Sequence, residues 1–217
     1  VWYFYLLRPL VREFIRAYHR VRIVGRERFD PLGTYVVVGN HESALDPVYL
    51  DAFFPRPIYF MAKKELFASP VLGSLVRAFG AFPVNREAYD IGAVRRALRL
   101  LQEGKNVGIF PEGTRNPRLA EAALKHGAAF VSLKTGIPVL PVVLVGTGRA
   151  FPKGARFIRP VRVVLVYGRP FFPRSGEDAE GFAARIKEAL TELYREGEGR
   201  TEVGEDEARL NHGEAKT

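Results

Sequence analysis

His41 directly follows a β-branched run, Tyr35-Val36-Val37-Val38, and Asp46 stands five residues further on in Asn40-His41-Glu42-Ser43-Ala44-Leu45-Asp46-Pro47. A strand end is where open α/β sheets gather ligands and catalytic groups. On one continuous helix the two side chains would project about 140° apart and could not meet. Asp46-Pro47, however, has the form of a helix start, a capping residue followed by a first helical residue. Asn40 to Leu45 then make a loop that can fold back. An imidazole whose Nδ1–H is held by a carboxylate presents Nε2 as a general base. No nucleophile of the protein accompanies the pair: the chain has no cysteine and no G-x-S-x-G elbow, and Ser43 is very near in sequence. A base with its orienter and no protein nucleophile points to a nucleophile carried by the substrate, an alcohol or water. The plain alternative is that Asp46 only caps its helix.

A second strand end repeats the pattern. Val107-Gly108-Ile109-Phe110 runs into Pro111-Glu112-Gly113-Thr114-Arg115-Asn116, and parallel pairing with the first strand would open both motifs onto one sheet edge. Glu112 offers a carboxylate to a hydroxyl, Gly113 permits close backbone approach, and the Arg115 guanidinium fork matches a phosphate. Lys63-Lys64 follows the strand Ile58 to Met61, and Arg86 follows Ala81 to Val84. Cations at three strand ends beside one histidine favour an anion site. There is neither a Walker loop nor a G-x-G-x-x-G at a strand–helix turn, and no metal-ligating constellation. The other three histidines, His19, His126 and His212, lie in helices or the tail.

These residues need a scaffold, and the chain reads as an α/β domain: a mixed, largely parallel sheet flanked by helices. Strands are expected over 35–38, 58–61, 81–84, 107–110, 139–145 and 161–167. Helices are expected from Asp46, over 66–79 up to Gly80, from Asp90 to Gly104, over 119–134 and over 179–194. An amphipathic, aromatic-rich element occupies residues 1–20: Trp2 to Tyr5, then a helix from Pro9 with Leu7, Val11, Phe14 and Tyr18 on one face and Arg8, Arg12, Arg16 and His19 on the other. The α/β domain spans 21–195. From 196 to 217 Glu and Gly dominate and a disordered tail is expected.

With 47% apolar and 26% charged residues among 217, the chain has material for a true core, which excludes a wholly disordered protein. Lys and Arg number 33 against 24 Asp and Glu, so a net charge of +9 calls for an anionic partner. Nucleic acid is disfavoured, since no basic stripe with interleaved aromatics lies outside the N-terminal element. No apolar run reaches the length needed to span a bilayer.

Four blocks in order, Asn40-His41-x4-Asp46, Lys64-Glu65-Leu66-Phe67 through Gly80-Ala81-Phe82-Pro83-Val84-Asn85-Arg86, Phe110-Pro111-Glu112-Gly113-Thr114-Arg115 and Ile137-Pro138-Val139-Leu140-Pro141-Val142, resemble the motifs of the glycerolipid acyltransferases. The pattern is similar to that of the bacterial 1-acylglycerol-3-phosphate (lysophosphatidic acid) acyltransferases and covers about residues 20–170. The resemblance implies that His41 deprotonates the sn-2 hydroxyl of a lysophospholipid acceptor while Asp46 orients the imidazole. It implies that Arg86 and Arg115, with Lys63 or Lys64 and with Lys125, hold the acceptor phosphate, and that Glu112, Gly113 and Thr114 bind its glycerol. Acyl-CoA or acyl-carrier protein would be the co-substrate, with no other cofactor and no metal, and phosphatidic acid the product. Asn85 and Asn116 stand where Asp and Ser are common in the family. Other phosphorylated acceptors, a thioesterase using water, and a non-catalytic membrane module remain as alternatives. The expected location is peripheral, on the anionic cytoplasmic face of a bacterial cell membrane, through residues 1–20.

Overall fold

The computed structural model describes residues 2–85, 90–116 and 118–213, with side chains described from 6 to 201 apart from residue 120 and those gaps. β-branched runs too apolar for a one-sided sheet become strands covered on both faces. β2 (Val36–Gly39), β5 (Asn106–Ile109), β6 (Val139–Val145) and β7 (Val164–Tyr167) are buried at every position. With β1 (Arg22–Val24), β3 (Ile58–Lys63) and β4 (Phe82–Val84) they form a seven-stranded sheet of order β1-β7-β6-β2-β5-β3-β4. Each neighbouring pair is parallel except β6 and β7. Pro83 is accommodated because β4 is an edge strand.

Alternate residues of the strands feed two cores. Val36, Val38, Val107, Ile109 and Val143 face one side, against α4 (Ile91–Gln102), α5 (Gly127–Thr135) and α7 (Ala179–Gly213). Val37, Phe60, Leu140, Val142 and Leu165 face the other, against α1 (Trp2–His19) and α2 (Asp46–Phe53). The connections are completed by α3 (Pro70–Ala78) and a single turn, α6 (Thr147–Ala150). The result is the expected mixed α/β sheet between helices. As expected, Asp90 caps α4 by accepting from the Ala93 N–H at 2.9 Å.

Several expected elements differ. The helix expected over 66–79 divides into a 3₁₀ turn, Lys64–Phe67, and α3, because Ser69 caps a new start by accepting from the Leu72 N–H and Pro70 follows it. The helix expected over 119–134 is broken likewise: a 3₁₀ turn covers Leu119–Glu121, and the Lys125 N–H donates to the Pro111 carbonyl at 2.8 Å instead of to a helical one. The tail expected to be disordered from 196 is helical through Gly213. Glu196 pairs bidentately with Arg28 at 2.9 Å, and Gly197 lies so close to Val145 and Val166 that a Cβ would meet the Val145 side chain at 2.7 Å.

The N-terminal element is one helix from Trp2 that turns one arginine inward and much of its apolar surface outward. Arg8 points into the protein, donating to the Ala52, Phe54 and Pro55 carbonyls at the C-terminal end of α2, where the helix dipole favours a cation. Ile15 and His19 are buried beside it, so His19 does not belong to an exposed arginine face. Val11 is half-buried against the core. Leu6, Leu7, Leu10 and Phe14 are 63%, 49%, 70% and 62% exposed.

Candidate active site

β2 and β5 lie side by side with Val38 opposite Ile109, so the loops that follow them meet at one carboxyl edge. Asn40, fully buried, fastens the first loop. Its Nδ2 donates to the Leu144 carbonyl at 2.9 Å and its Oδ1 accepts from the Leu144 N–H at 2.8 Å, continuing the β2–β6 ladder with a side chain. The loop then folds back on Asp46, which occupies the first residue of α2 rather than its cap. Asp46 Oδ2 accepts from the Glu42 and Ser43 N–H groups, both at 2.8 Å, and lies 2.9 Å from His41 Nδ1. The carboxylate therefore orders the loop and the imidazole together instead of capping the helix. With Oδ2 already accepting from two amides, the third contact is completed by a hydrogen on Nδ1, which leaves the Nε2 lone pair for a substrate.

The β5 loop holds the same histidine from the other side. Glu112 Oε1 accepts from the His41 N–H at 3.0 Å, and the Asn116 N–H donates to the His41 carbonyl at 2.7 Å. The His41 ring stacks on Phe110, with centroids 4.3 Å apart and 18° between planes, and Phe110 stacks in turn on Phe60. Glu112 is buried, and that burial raises its pKa; its Oε2 carries no hydrogen bond. One of its oxygens is thus committed to the histidine backbone, and the other is buried without a hydrogen-bond partner among the described residues.

Gly113 has φ 68°, a left-handed conformation, and a Cβ there would strike the Lys125 side chain at 2.9 Å. Lys125 is thereby brought against the Glu112-Gly113 turn. Thr114 and Arg115 are exposed. At the end of β3 the two lysines separate: Lys63 Nζ lies 3.8 Å from the Glu65 carboxylate, whereas Lys64 borders a hollow of about 670 Å³ with Asn85, Asp90 and Arg77. Arg86 lies outside the described residues. Two further cavities adjoin the turn. One of about 510 Å³ is walled chiefly by apolar groups, among them Met61, Val84, Ile109, Phe110 and Phe130. The other, about 730 Å³, is bordered by Glu42, Arg115, Arg149, Lys153 and Tyr194.

The residues that sequence reasoning missed are those whose partners are distant. Tyr194 of α7 donates to Glu42 Oε1 at 2.6 Å, and the Asn40 amide donates to the same oxygen at 3.2 Å. Burial pushes the Glu42 carboxyl up to about 7, against the lowering effect of those hydrogen bonds. The Ser43 hydroxyl donates to the Phe151 carbonyl at 3.2 Å. Phe110 carried a signal, as the last residue before the Pro111-Glu112 turn; Tyr194 carried none. Among the described residues no group of three or more His, Asp or Glu could hold a metal ion.

Fold and site together define a class: a three-layer α/β protein with a buried histidine–carboxylate pair at the carboxyl edge of its sheet. The comparisons give the family. A family model described as Acyltransferase matches residues 20–145, and the chain belongs to the acyltransferase family. It is 32% identical over 179 residues to the 1-acyl-sn-glycerol-3-phosphate acyltransferase of Borreliella burgdorferi, covering 82% of this chain and 69% of that protein. With the Chlamydomonas reinhardtii protein of the same name it shares 35% identity over 172 residues, covering 77% of this chain and 52% of the relative. The chain thus spans about half of the algal relative. The crystal structure of the 1-acyl-sn-glycerophosphate acyltransferase PlsC from Thermotoga maritima superposes with a TM-score of 0.72 at 26% identity, over 89% of this chain and 81% of that one.

Proposed function

We propose that this protein transfers a fatty acyl group from a thioester, acyl-CoA or acyl-carrier protein, to the sn-2 hydroxyl of 1-acylglycerol 3-phosphate, giving phosphatidic acid. The observation that carries the reading is the His41–Asp46 pair, fixed on both sides at the sheet edge while the adjacent Ser43 hydroxyl is engaged with a backbone carbonyl. In the reaction, His41 Nε2 takes the hydroxyl proton as the acceptor oxygen bonds to the thioester carbon. The tetrahedral adduct then collapses, the C–S bond breaks, and the thiolate leaves with the proton held by the imidazole. The ester and the free thiol are the products.

Lys64 and Lys125, with Arg86 and Arg115, hold the acceptor phosphate. Lys64 is preferred to Lys63, whose amine faces Glu65. Glu112 and the Gly113-Thr114 backbone receive the glycerol. The apolar cavity beside Phe110 suits a fatty acyl chain. No described helix is long and apolar enough to cross a membrane. The outward apolar face of α1 supports a peripheral seat, with Leu6, Leu7, Leu10 and Phe14 entering the headgroup boundary of an anionic cytoplasmic leaflet. Arg12 and Arg16 lie away from that face and pair with Glu13, and Arg8 is committed to α2.

The test is a panel: purified protein with an acyl thioester and lysophosphatidic acid, glycerol 3-phosphate, or no acceptor. Phosphatidic acid from lysophosphatidic acid is expected. Product from glycerol 3-phosphate alone would move the activity to the first acylation, and equal thiol release without acceptor would make the protein a thioesterase.

A further inference from the structure

The Pro111–Arg115 turn divides the site's surroundings. Pro111 and Gly113 border the apolar cavity on the β5–β3 side. Arg115 borders the polar cavity of about 730 Å³ on the β6 side, together with Arg149, Lys153 and Glu42, the residue after His41. Because β6 lies parallel to β2, the segment after it, Gly146 to Lys153, emerges at the same sheet edge as the His41 loop. The two are joined there, since the Gly148 N–H donates to Glu42 Oε2 at 3.4 Å. The His41–Phe110 stack therefore lies at the boundary between a dry space and a cationic one.

A substrate spanning that boundary has a hydrocarbon tail at one end, a reactive group in the middle and several phosphate charges at the other. An acyl thioester on a phosphorylated carrier has that construction. We propose that the cavity after β6 binds the phosphate-bearing carrier of the thioester donor, above all the phosphopantetheine phosphate that acyl-CoA and acyl-carrier protein share, through Arg149 and Lys153. This rests on the acyl-transfer reading and adds a site to it, on the side of His41 opposite Lys64 and Lys125. At about 730 Å³ the cavity has room for a phosphorylated carrier group. A protonated Glu42 keeps its carboxyl from repelling the anions; burial favours that form. Tyr194 and Glu198 of α7 complete the wall, and both lie beyond the residues matched by the family model.

The experiment is steady-state kinetics of Arg149→Gln, Lys153→Gln and the double variant, with palmitoyl-CoA and with palmitoyl-carrier protein as donors and lysophosphatidic acid as acceptor. Each single change is expected to raise the donor KM roughly 10-fold, as befits the loss of one charge-assisted contact, with the acceptor KM within twofold of its starting value. An effect with palmitoyl-CoA alone would place the cations on the nucleotide phosphates. An effect with both donors would place them on the shared phosphopantetheine. A rise in acceptor KM instead, or no change in either, overturns the proposal. Calorimetric binding of free coenzyme A supplies a readout independent of turnover. Binding lost in the double variant supports the site even if no acyl transfer is found, whereas loss of transfer in the unaltered protein would count against the reaction alone. Thermal unfolding of Lys153→Gln, an exposed position, checks that the fold is intact.

Discussion

At the residue scale the protein concentrates its polar chemistry on one imidazole held at every heteroatom but Nε2. Its backbone N–H goes to Glu112, its carbonyl takes the Asn116 N–H, and its Nδ1 faces Asp46. Asp46→Asn would replace the oxygen that three donors share by a group able to offer hydrogens of its own. Turnover should fall on the order of 10²- to 10⁴-fold, as expected when a general base loses its tautomer, with some loss of stability because the loop amides of Glu42 and Ser43 lose their acceptor. Glu42 yields a pH prediction. Its carboxyl is raised from 4.5 to about 7 in the fold, so between those values the folded protein binds more protons than the unfolded one. Stability should fall as pH rises through that window and level off above it, by about 3 kcal/mol at most for such a shift. Glu42→Gln keeps an acceptor for Tyr194 and should flatten the slope, measured as urea midpoints at pH 5 and pH 8. An unchanged slope would assign the dependence to other groups.

At the scale of elements, the side chains that fix the loops matter as much as the strands. Asn40→Ala would strip Leu144 of both its partners in a buried setting, at a cost of about 1–3 kcal/mol for each unsatisfied group. Hydrogen exchange should rise at Leu144 and through the loop of residues 40–45. What was legible in the sequence follows the same division. β2, β5 and β6 announce themselves because a strand covered on both faces must be apolar at successive positions, and the two motif loops follow directly from them. β1 was not legible: Arg22-Ile23-Val24 is a partly exposed edge strand whose pairing with Val164 depends on a strand far along the chain. The division of 119–134 hides in an amide that donates to Pro111. Asn40–Leu144 and Tyr194–Glu42 join residues 104 and 152 positions apart, a distance at which local periodicity carries no information. The same holds for the end of α7, whose Glu and Gly suggested disorder until Arg28 supplied a partner for Glu196.

At the scale of the whole molecule, α1 presents its apolar arc outward and turns Arg8, Ile15 and His19 to the protein. Removing residues 1–20 would expose the core along with any membrane seat, so point changes are the informative ones. Leu10→Glu with Phe14→Glu should leave the unfolding temperature within a few degrees. Burial of each of those side chains is worth roughly 1.5–3 kcal/mol. Partitioning onto vesicles containing phosphatidylglycerol should therefore fall by about 10²-fold or more. Undiminished sedimentation would put the membrane contact elsewhere. Arg115→Ala, in the wall of the polar cavity two residues beyond Gly113, should raise the KM for the phosphorylated acceptor about 10-fold or more, the size of a charged contact; a rise confined to the donor would transfer that arginine to the carrier.

The central claim is that His41 activates a hydroxyl of the acceptor for attack on a thioester. It is tested most directly by comparing the unaltered protein with His41→Ala in forming phosphatidic acid from lysophosphatidic acid and palmitoyl-CoA, with thiol release followed in the same samples. The expected result is stoichiometric ester and thiol from the unaltered protein and a loss on the order of 10²- to 10⁴-fold in the variant, at unchanged circular dichroism. Equal rates from a folded His41→Ala protein would contradict the account.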